Sequence, residues 1–440
     1  MAIQDLDVKK DNNHQELEAV EEELPTAEEQ RWTPEEEKNL IRKIDLFLLP
    51  TIWLMYLLSY VDRTNIGNAK IAGMQEDLNL DSGEYSLALI VFFIGYVIFE
   101  IPSNMILSKS KPSLFLPIIM IIWGALTCCM AAVKTYSALV GLRAVIGCIE
   151  AGFSPGILLI ISSWYKRVEQ SKRFAVYISA AILSGAFGGL LAGAITSNLE
   201  GAHGIRGWRW LFIVEGAATI GWAICAGFIL LDFPATSTRL SERERFIAVN
   251  RLLVLQQDPA AAAEEDQIQQ PTHVQAFKQS VINWRTWLFT FGYMVIVGSS
   301  TLSYFYPTLV QGLGYTSHMA QYMTVPIYAV AFICTAITGY FMDKIPHHRG
   351  LIISTWLFFA MLCAITVCTV YNFTARYVLL VLMAAGLWST NALSLSYASS
   401  TFSPMRRETR GVSLAFVNAM GNLAQIYGAY LVSFFFCPFV

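Results

Sequence analysis

Two residues of opposite charge, Arg143 and Glu150, lie seven positions apart within the apolar stretch 136–164. The stretch is long enough to cross a bilayer as a helix. A charge near the centre of such a helix costs about 2.5–3.5 kcal/mol on insertion scales, so it normally faces a partner or a water-filled cavity. A second charged pair, Asp62-Arg63, lies at the end of another apolar stretch. Together these side chains predict a polar site buried in a membrane protein.

The chemistry of these side chains suits an anion and a proton. Seven residues turn a helix nearly twice, with about 10 Å of rise, so Arg143 and Glu150 share one face. If the first and fourth spans run in opposite directions, Arg63 lies at a similar depth, and two guanidinium groups can hold a carboxylate between them. Glu150 and Asp62 are the candidate proton carriers, because all six histidines fall in the N-terminal tail or in loops. Alternatively, these charges have a structural role and hold helices together by ion pairs. Asp62-Arg63 would then mark the end of the first span at the membrane interface.

Composition excludes several other classes of protein. The 440 residues are 55% hydrophobic and 14% charged, with a net charge of −3. Soluble domains carry about 25% charged residues, so this low content indicates a membrane protein. A chain without an excess of basic residues has no positively charged surface for binding nucleic acid. We find no phosphate-binding glycine loop, no metal-ligand spacing and no nucleophile–base arrangement. The sequence therefore predicts no enzymatic activity, no metal and no cofactor, with the proton as the coupling ion of any transport.

Eleven apolar stretches predict an all-α integral membrane protein. They cover 46–67, 85–107, 114–133, 136–164, 173–198, 208–231, 285–311, 320–342, 350–371, 374–402 and 410–436. Six spans, a charged linker and a second set of spans are the layout of a two-half transporter bundle. We therefore divide the chain into an acidic cytoplasmic tail (1–43), a six-helix first half (44–231), a cytoplasmic linker (232–284) and a second half of about five helices (285–440).

The lysines and arginines of the loops predict the orientation of the bundle. With a cytoplasmic N-terminus, the inner loops hold basic clusters around residues 42–43, 109–111, 166–173, 344–349 and 406–410. The opposite loops hold only Lys70, Lys134, Arg206, Arg209 and Arg376. We expect a monomer in the lipid bilayer of the plasma membrane. Eleven spans that start inside end outside, so a 6+6 layout predicts that the twelfth span is missing.

Three segments resemble a known family. Tyr60–Ala69 (YVDRTNIGNA) resembles the first-span signature of the fungal allantoate permeases, in the anion:cation symporter branch of the major facilitator superfamily. The segments 142–165 and 207–216 resemble the same family, and the likeness runs from about residue 40 to 430. It implies twelve spans, alternating access and proton-coupled uptake of a small organic anion such as a vitamin or a ureide. It also implies substrate or gating roles for Arg63 and Arg143, and proton coupling for Asp62 and Glu150.

Other polar residues within or beside the spans are further candidates. Tyr304 lies just before Pro307, where a broken helix would expose backbone to a cavity, and Asn391 lies inside the tenth span. We assign both to substrate binding; a tyrosine belt at the interface and bonding between helices are the alternatives. The basic cluster after the eighth span, with its preceding acid, is assigned to gating. Its residues are Asp343, Lys344 and Arg349.

Two further patterns are assigned to structure. Gly185, Gly189 and Gly193 recur at four-residue spacing, which lets helices approach closely. Glu100 and Glu215 lie nearer to span ends and are expected to be structural. Three functions stay open: proton-coupled uptake of an organic anion, export of a fungal secondary metabolite, and a non-transporting sensor or truncated remnant of a permease.

Overall fold

The computed structural model describes residues 32–108, 110–253, 273–402, 405 and 407–436. All regular secondary structure in this described part is helical, and it contains no β-strand. The first half consists of α1 (Pro34–Ala69), α2 (Ser82–Ser108), α3 (Pro112–Met130), α4 (Tyr136–Glu150), α5 (Phe153–Trp164), α6 (Arg167–Asn198) and α7 (Gly207–Ile229). The linker contains α8 (Glu242–Leu253) and α9 (His273–Ile282). The second half consists of α10 (Trp284–Ser300), α11 (Tyr306–Gly312), α12 (Ser317–Tyr322), α13 (Thr324–Lys344), α14 (Arg349–Thr369), α15 (Phe373–Thr401) and α16 (Arg407–Phe436).

The first helix begins before the predicted end of the N-terminal tail. Thr33 caps α1 by accepting a hydrogen bond from the Glu36 amide at 3.2 Å, and the Glu36 carboxylate accepts one from the Thr33 amide at 2.8 Å. This reciprocal capping box starts a helix, and Leu40 and Ile44 on its first turns are buried. Residues 34–43 therefore belong to the bundle rather than to the tail. Residues 1–31 of the predicted tail lie outside the described residues.

Ten helical segments of the described part are long and apolar enough to cross a membrane. The sequence predicted eleven, and the difference is α16, which is 30 residues long but is not among the ten. Asn418, Asn422 and Gln425 lower its hydropathy. The helix nevertheless packs along α10 and against α2, so it is a member of the bundle. A helix covered by its neighbours can carry polar side chains that lipid would not accept.

The helical hydrogen bonding of the predicted fourth span is interrupted directly after Glu150, although Ala151 and Gly152 keep helical dihedral angles and 136–164 remains one span. Helix α4 ends at Glu150, and α5 begins at Phe153 after a turn at Ala151-Gly152. A Cβ atom on Gly152 would lie only 2.5 Å from the Ser103 Cβ of α2, so glycine is required for this close approach. Glu150 is the last residue of α4 and lies buried inside the bundle, next to this interruption.

The two halves meet at the end of the bundle where α1 reaches Lys70, which we call the Lys70 end. The glycine pattern of α6 lies in this interface and faces α12 and α13. A Cβ atom on Gly189 would lie 2.8 Å from the backbone oxygen of Gln321. The close helix packing that the glycine spacing predicted therefore occurs between the two halves. Several hydrogen bonds join the halves at the same end. Among them are those from Ser86 Oγ to Ala429 O (3.3 Å), from Ser317 Oγ to Ile71 O (2.7 Å) and from Gln321 Nε2 to Asn68 O (3.3 Å).

The linker docks on the opposite end of the first half through α8. Lys43 Nζ of α1 lies 2.9 Å and 2.8 Å from the two carboxylate oxygens of Glu244. Arg251, whose side chain is 0% exposed, contacts the carboxylates of Glu169 and Glu37. Partial burial raises the pKa of Glu244, but the hydrogen bonds from Lys43 and from the Ser241 amide outweigh it and lower the pKa below the usual value. The linker, predicted only as polar and charged, thus contains a helix fixed by ion pairs.

Candidate functional site

The centre of the first half contains a buried ion pair between α1 and α4. Arg63 Nε donates to Glu150 Oε1 at 2.6 Å, and the two side chains are 6% and 1% exposed. Ser59, one turn earlier on α1, donates its hydroxyl to the same carboxylate oxygen. Charge-assisted hydrogen bonds of this kind are about twice as strong as neutral ones. The pair fixes the end of α4 against α1.

Aromatic rings cover the arginines of this site. The Cζ atom of Arg63 lies 4.8 Å, 5.1 Å and 5.7 Å from the ring centroids of Tyr96, Tyr60 and Phe92. The Cζ atom of Arg143 lies 4.7 Å from the centroid of the same Phe92. Cation–π contacts stabilise a guanidinium group that has lost its water. The structure therefore brings the two arginines of different helices to one aromatic ring.

Arg143 differs from Arg63 in lacking an acidic partner. It is 3% exposed, and in the described part of the chain no carboxylate oxygen lies within 4.0 Å of its guanidinium nitrogens. Its Nε makes no hydrogen bond. Gly147, one turn further along α4, has no room for a side chain, because a Cβ atom there would collide with the carbonyl oxygen of Phe92. This contact holds α4 close to α2 and keeps Arg143 beside the ring.

Asp62 occupies a separate polar environment made of neutral donors. Its Oδ2 accepts hydrogen bonds from Trp123 Nε1 at 3.2 Å and from Thr219 Oγ1 at 2.9 Å. Its Oδ1 has no hydrogen-bond partner, and the side chain is 6% exposed. Asp62 and Arg63 are adjacent in sequence but point to different helices, Asp62 to α3 and α7 and Arg63 to α4.

The four charged side chains line one cavity of about 10 Å³. Its wall consists of Asp62, Arg63, Thr127, Met130, Arg143, Ile146, Glu150 and Phe212. A cavity of this size holds about one water molecule. It is too small for an organic anion, so a ligand would enter only after the helices around it move apart.

The second half approaches the site through a break in its first long helix. Residues Thr301–Phe305 form a 3₁₀ segment between α10 and α11, with Pro307 in the first turn of α11. The backbone oxygen of Tyr304 accepts a hydrogen bond from the Tyr85 hydroxyl at 3.1 Å. A Cβ atom on Gly67 of α1 would lie 2.5 Å from this same oxygen. Tyr304 thus contacts the first half at the Lys70 end, with its side chain 5% exposed.

The other predicted site residues lie apart from this cavity. Asn391 on α15 accepts a hydrogen bond from the Tyr293 hydroxyl at 3.3 Å. Lys344 Nζ lies 4.4 Å from the ring centroid of Tyr340, and Arg349 donates to Ser400 Oγ. The side chain of Asp343 lies outside the described residues.

Two residues have environments that the sequence did not indicate. Lys70, counted above among the loop residues, lies in a π-helical turn that continues α1, and its ammonium group is 4.5 Å from the ring centroid of Tyr85. Glu215, expected to be structural and near a span end, lies more than two turns inside α7 and is 1% exposed. The extension of the helix past the apolar stretch explains the position of Lys70. Helix α7 begins within one residue of the predicted span, so the burial of Glu215 follows from the packing of α7 on α1 rather than from a changed boundary.

Four polar side chains of the site were missed as candidates: Ser59, Trp123, Thr127 and Thr219. Helical spacing is a signal for two of them. Ser59 precedes Arg63 by four residues, and Thr219 follows Glu215 by four, so each shares a helix face with a charged residue. Trp123 and Thr127 also lie four residues apart on α3, but the sequence contains no charged neighbour that marks this face.

The fold and the site define a polytopic helical bundle with opposite charges buried in its membrane region. Residues 52–429 match the family described as Major Facilitator Superfamily. The chain belongs to this superfamily of membrane transporters, and not to a family of enzymes. This confirms the predicted all-helical fold of the major facilitator type.

Individual relatives agree with this assignment. The MFS transporter prlL of Fungal sp. (strain NRRL 50135) is 37% identical over 337 residues, which are 74% of this chain and 66% of that protein. The match therefore leaves about a third of prlL uncovered. The high-affinity nicotinic acid transporter of Saccharomyces cerevisiae is 30% identical over 397 residues, 89% of this chain and 72% of that protein. A bacterial homologue of the human lysosomal transporter Spinster, solved in an inward-facing and unoccupied conformation, has a TM-score of 0.69 at 17% identity, covering 88% of this chain and 81% of that one. This last likeness concerns the fold alone.

Proposed function

We propose that this protein is a proton-coupled symporter that takes up a small organic anion, a carboxylate such as a vitamin or a ureide. The observation that carries the proposal is Arg143, a buried cation without a carboxylate in salt-bridge range in the described part of the chain. A buried charge requires a counter-charge, and a substrate carboxylate in the adjoining cavity would supply it. The relative named for nicotinic acid, itself a carboxylic acid, supports the same substrate class. The signature Tyr60–Ala69 supports placement among the fungal allantoate permeases.

Arg63 links the anion to the proton in this proposal. Its guanidinium is paired with Glu150 at 2.6 Å. A proton on Glu150 neutralises the carboxylate and weakens the pair, which leaves the guanidinium fork for the substrate. Protonation and anion binding then favour one another, and this reciprocity is the coupling that symport needs. Asp62, which accepts only from neutral donors, is the second proton carrier.

Alternating access would open and close this cavity by movement of the two halves. The N-terminus is cytoplasmic in our proposal, so the Lys70 end faces outward and the structure corresponds to a state closed on that side. Tyr304 would help to close the outer side of the cavity, because its backbone oxygen accepts a hydrogen bond from the Tyr85 hydroxyl of the first half. Asn391 would contact the substrate from the second half, and Asp343, Lys344 and Arg349 would gate the cytoplasmic side. We propose a monomer in the plasma membrane.

Transport by the full chain in proteoliposomes tests the proposal. Radiolabelled nicotinate, benzoate and lactate serve as carboxylate probes, and nicotinamide serves as the neutral probe. We expect an inward proton gradient to drive accumulation of at least one acid and not of nicotinamide, with uptake rising as external pH falls. Arg143→Gln removes charged hydrogen bonds worth about 1.5–3 kcal/mol, so uptake at limiting substrate should fall roughly 10–150-fold.

The control is Arg42→Gln, because Arg42 is an exposed arginine at the opposite end of the bundle from Lys70. It should transport at the wild-type rate. Wild-type protein that accumulates no acid under the gradient would contradict symport, and accumulation that requires the opposite gradient direction would indicate export. An equal fall in uptake in the Arg42→Gln and Arg143→Gln variants would contradict the assigned role of Arg143.

A further inference from the structure

A third buried carboxyl lies beside the site without a cationic partner. Glu215 is 1% exposed, and neither of its carboxylate oxygens makes a hydrogen bond in the described structure. Ionised carboxylates buried without a cation or several donors are strongly unfavourable, and such groups commonly hold a proton. Its burial and its unbonded oxygens distinguish Glu215 from a structural residue, which would be paired.

Helix α7 directs Glu215 to the same region as Asp62. Phe212, Glu215 and Thr219 are spaced three and four residues apart, so they occupy one face of the helix, and all three are buried. Phe212 lines the cavity, and Thr219 donates to Asp62 Oδ2 at 2.9 Å. Glu215 therefore lies between a residue of the cavity wall and a residue bonded to Asp62.

The charged and titratable neighbours of this position are few. From α1, Asp62 and Asn65 face Glu215, and the Asn65 side chain lies near enough to interact with the Glu215 carboxylate although its amide makes no hydrogen bond. From α3, the Cys128 thiol lies beside the adjoining Gly216 of α7. Within the site, Glu150 also acts on Asp62, but its own carboxylate is already paired with Arg63. The Asp62–Glu215 region thus contains two carboxyl groups and no basic side chain in salt-bridge range in the described part of the chain.

We propose that Glu215 is a further proton-carrying residue of this transporter and that it shares one proton with Asp62. One carboxyl of the pair is then a neutral acid while the other is ionised, and like charges in one buried site produce this sharing. The proton arrives from water on one side of the membrane and returns to water on the other, and no other bond forms or breaks. This proposal rests on the proposed symport, because it adds Glu215 to Glu150 and Asp62 as a carrier of the proton in that cycle.

Infrared difference spectroscopy of the purified full chain in liposomes tests the shared proton without any substrate. The carbonyl stretch of a protonated carboxylic acid reports the neutral member of the pair. We expect wild-type protein to show this band at neutral pH and Glu215→Gln to lose most of it. In Glu215→Gln no second carboxylate repels the charge on Asp62. Trp123 and Thr219 donate hydrogen bonds to Asp62 and stabilise its ionised form, so the variant has no protonated carboxyl at this position. Asp62→Asn with Glu215→Gln should remove the band completely.

The control is Glu76→Gln, because Glu76 is an exposed carboxylate at the Lys70 end and its removal should leave the band unchanged. A band of full amplitude in Glu215→Gln would overturn the proposal, as would an equal loss in Glu76→Gln. Size-exclusion chromatography verifies that each variant is folded. Failure of wild-type protein to accumulate any acid would contradict symport but leave this spectroscopic result standing, so the two proposals fail separately.

Discussion

Arg63 and Glu150 form a buried ion pair that joins α1 to α4, with 2.6 Å between Nε and Oε1. Arg143 lies two turns from Glu150 on the same helix yet makes no salt bridge within the described part of the chain. The first arginine is therefore neutralised inside the protein, and the second is not. This asymmetry assigns different tasks to two residues of the same type.

Replacement of Glu150 by glutamine should separate binding from proton coupling. The variant Glu150→Gln keeps a hydrogen-bond acceptor for Arg63 but removes the ionisable group. We expect accumulation of a carboxylate against its gradient to be lost, whereas exchange of labelled for unlabelled carboxylate across the liposome membrane continues. Counterflow and proton-driven uptake, measured on one preparation, distinguish the two processes. Unchanged concentrative uptake in Glu150→Gln would contradict its role as a proton carrier.

Replacement of Gly147 by alanine should displace α4 from α2. The added Cβ atom would collide with the carbonyl oxygen of Phe92, which is backbone and cannot rotate away. Overpacking of this kind costs about 1–3 kcal/mol, so thermal unfolding in detergent should begin at a lower temperature. The matched control is Gly141→Ala on the same helix, where no atom lies within 4 Å of the new Cβ. That variant should gain about 0.5–1 kcal/mol from helix propensity, and equal destabilisation of both would refute the steric argument.

Replacement of Gly67 by alanine should weaken closure at the Lys70 end. Its Cβ atom would lie 2.5 Å from the Tyr304 backbone oxygen, across the interface of the two halves. A steric cost of about 1–3 kcal/mol shifts a two-state equilibrium roughly 5–150-fold. A reporter cysteine in place of Ser317 should then react faster with a membrane-impermeant maleimide.

The matched control for this opening is Gly188→Ala on α6. The nearest atoms to its Cβ lie at 3.9 Å, which is ordinary contact, so the reporter should react at its original rate. If the cysteine at position 317 were labelled more slowly with Gly67→Ala than without it, the interface would be closing more tightly, contrary to our expectation.

The contact of α8 with α1 should depend on pH through Glu244. Its carboxyl has a lowered pKa, against opposition from partial burial, because Lys43 and the Ser241 amide bond its ionised form. The stabilisation is therefore fully present above the ordinary glutamate pKa and is lost as pH falls through the lowered value. For a partly exposed pair at the protein surface it amounts to about 0.2–1 kcal/mol. Glu244→Gln should thus be less stable than wild type at neutral pH but equally stable in acid, as measured by thermal unfolding. A difference that persists in acid would exclude the ion pair as its cause.

Much of the architecture was predictable from the sequence, because hydropathy and helical spacing are local properties. The apolar stretches predicted the helices of both halves, and the four-residue spacing of Gly185, Gly189 and Gly193 predicted close helix packing. The seven-residue spacing placed Arg143 and Glu150 on one face. Boundaries were less accurate: the cap at Thr33 starts α1 within a charged segment, where hydropathy has no signal.

The sequence by itself determined that charges are buried in a membrane protein, since Asp62, Arg63, Arg143 and Glu150 lie within or at the ends of stretches that only a bilayer explains. Tertiary structure alone decided the partners. Glu150 bonds Arg63 rather than the arginine of its own helix, because the turn after Glu150 and the approach of α1 bring a different guanidinium within 2.6 Å. Only packing of α7 on α1 showed that Glu215 is buried near Asp62. Partner choice depends on which helices touch, and neither composition nor spacing within one helix contains that information.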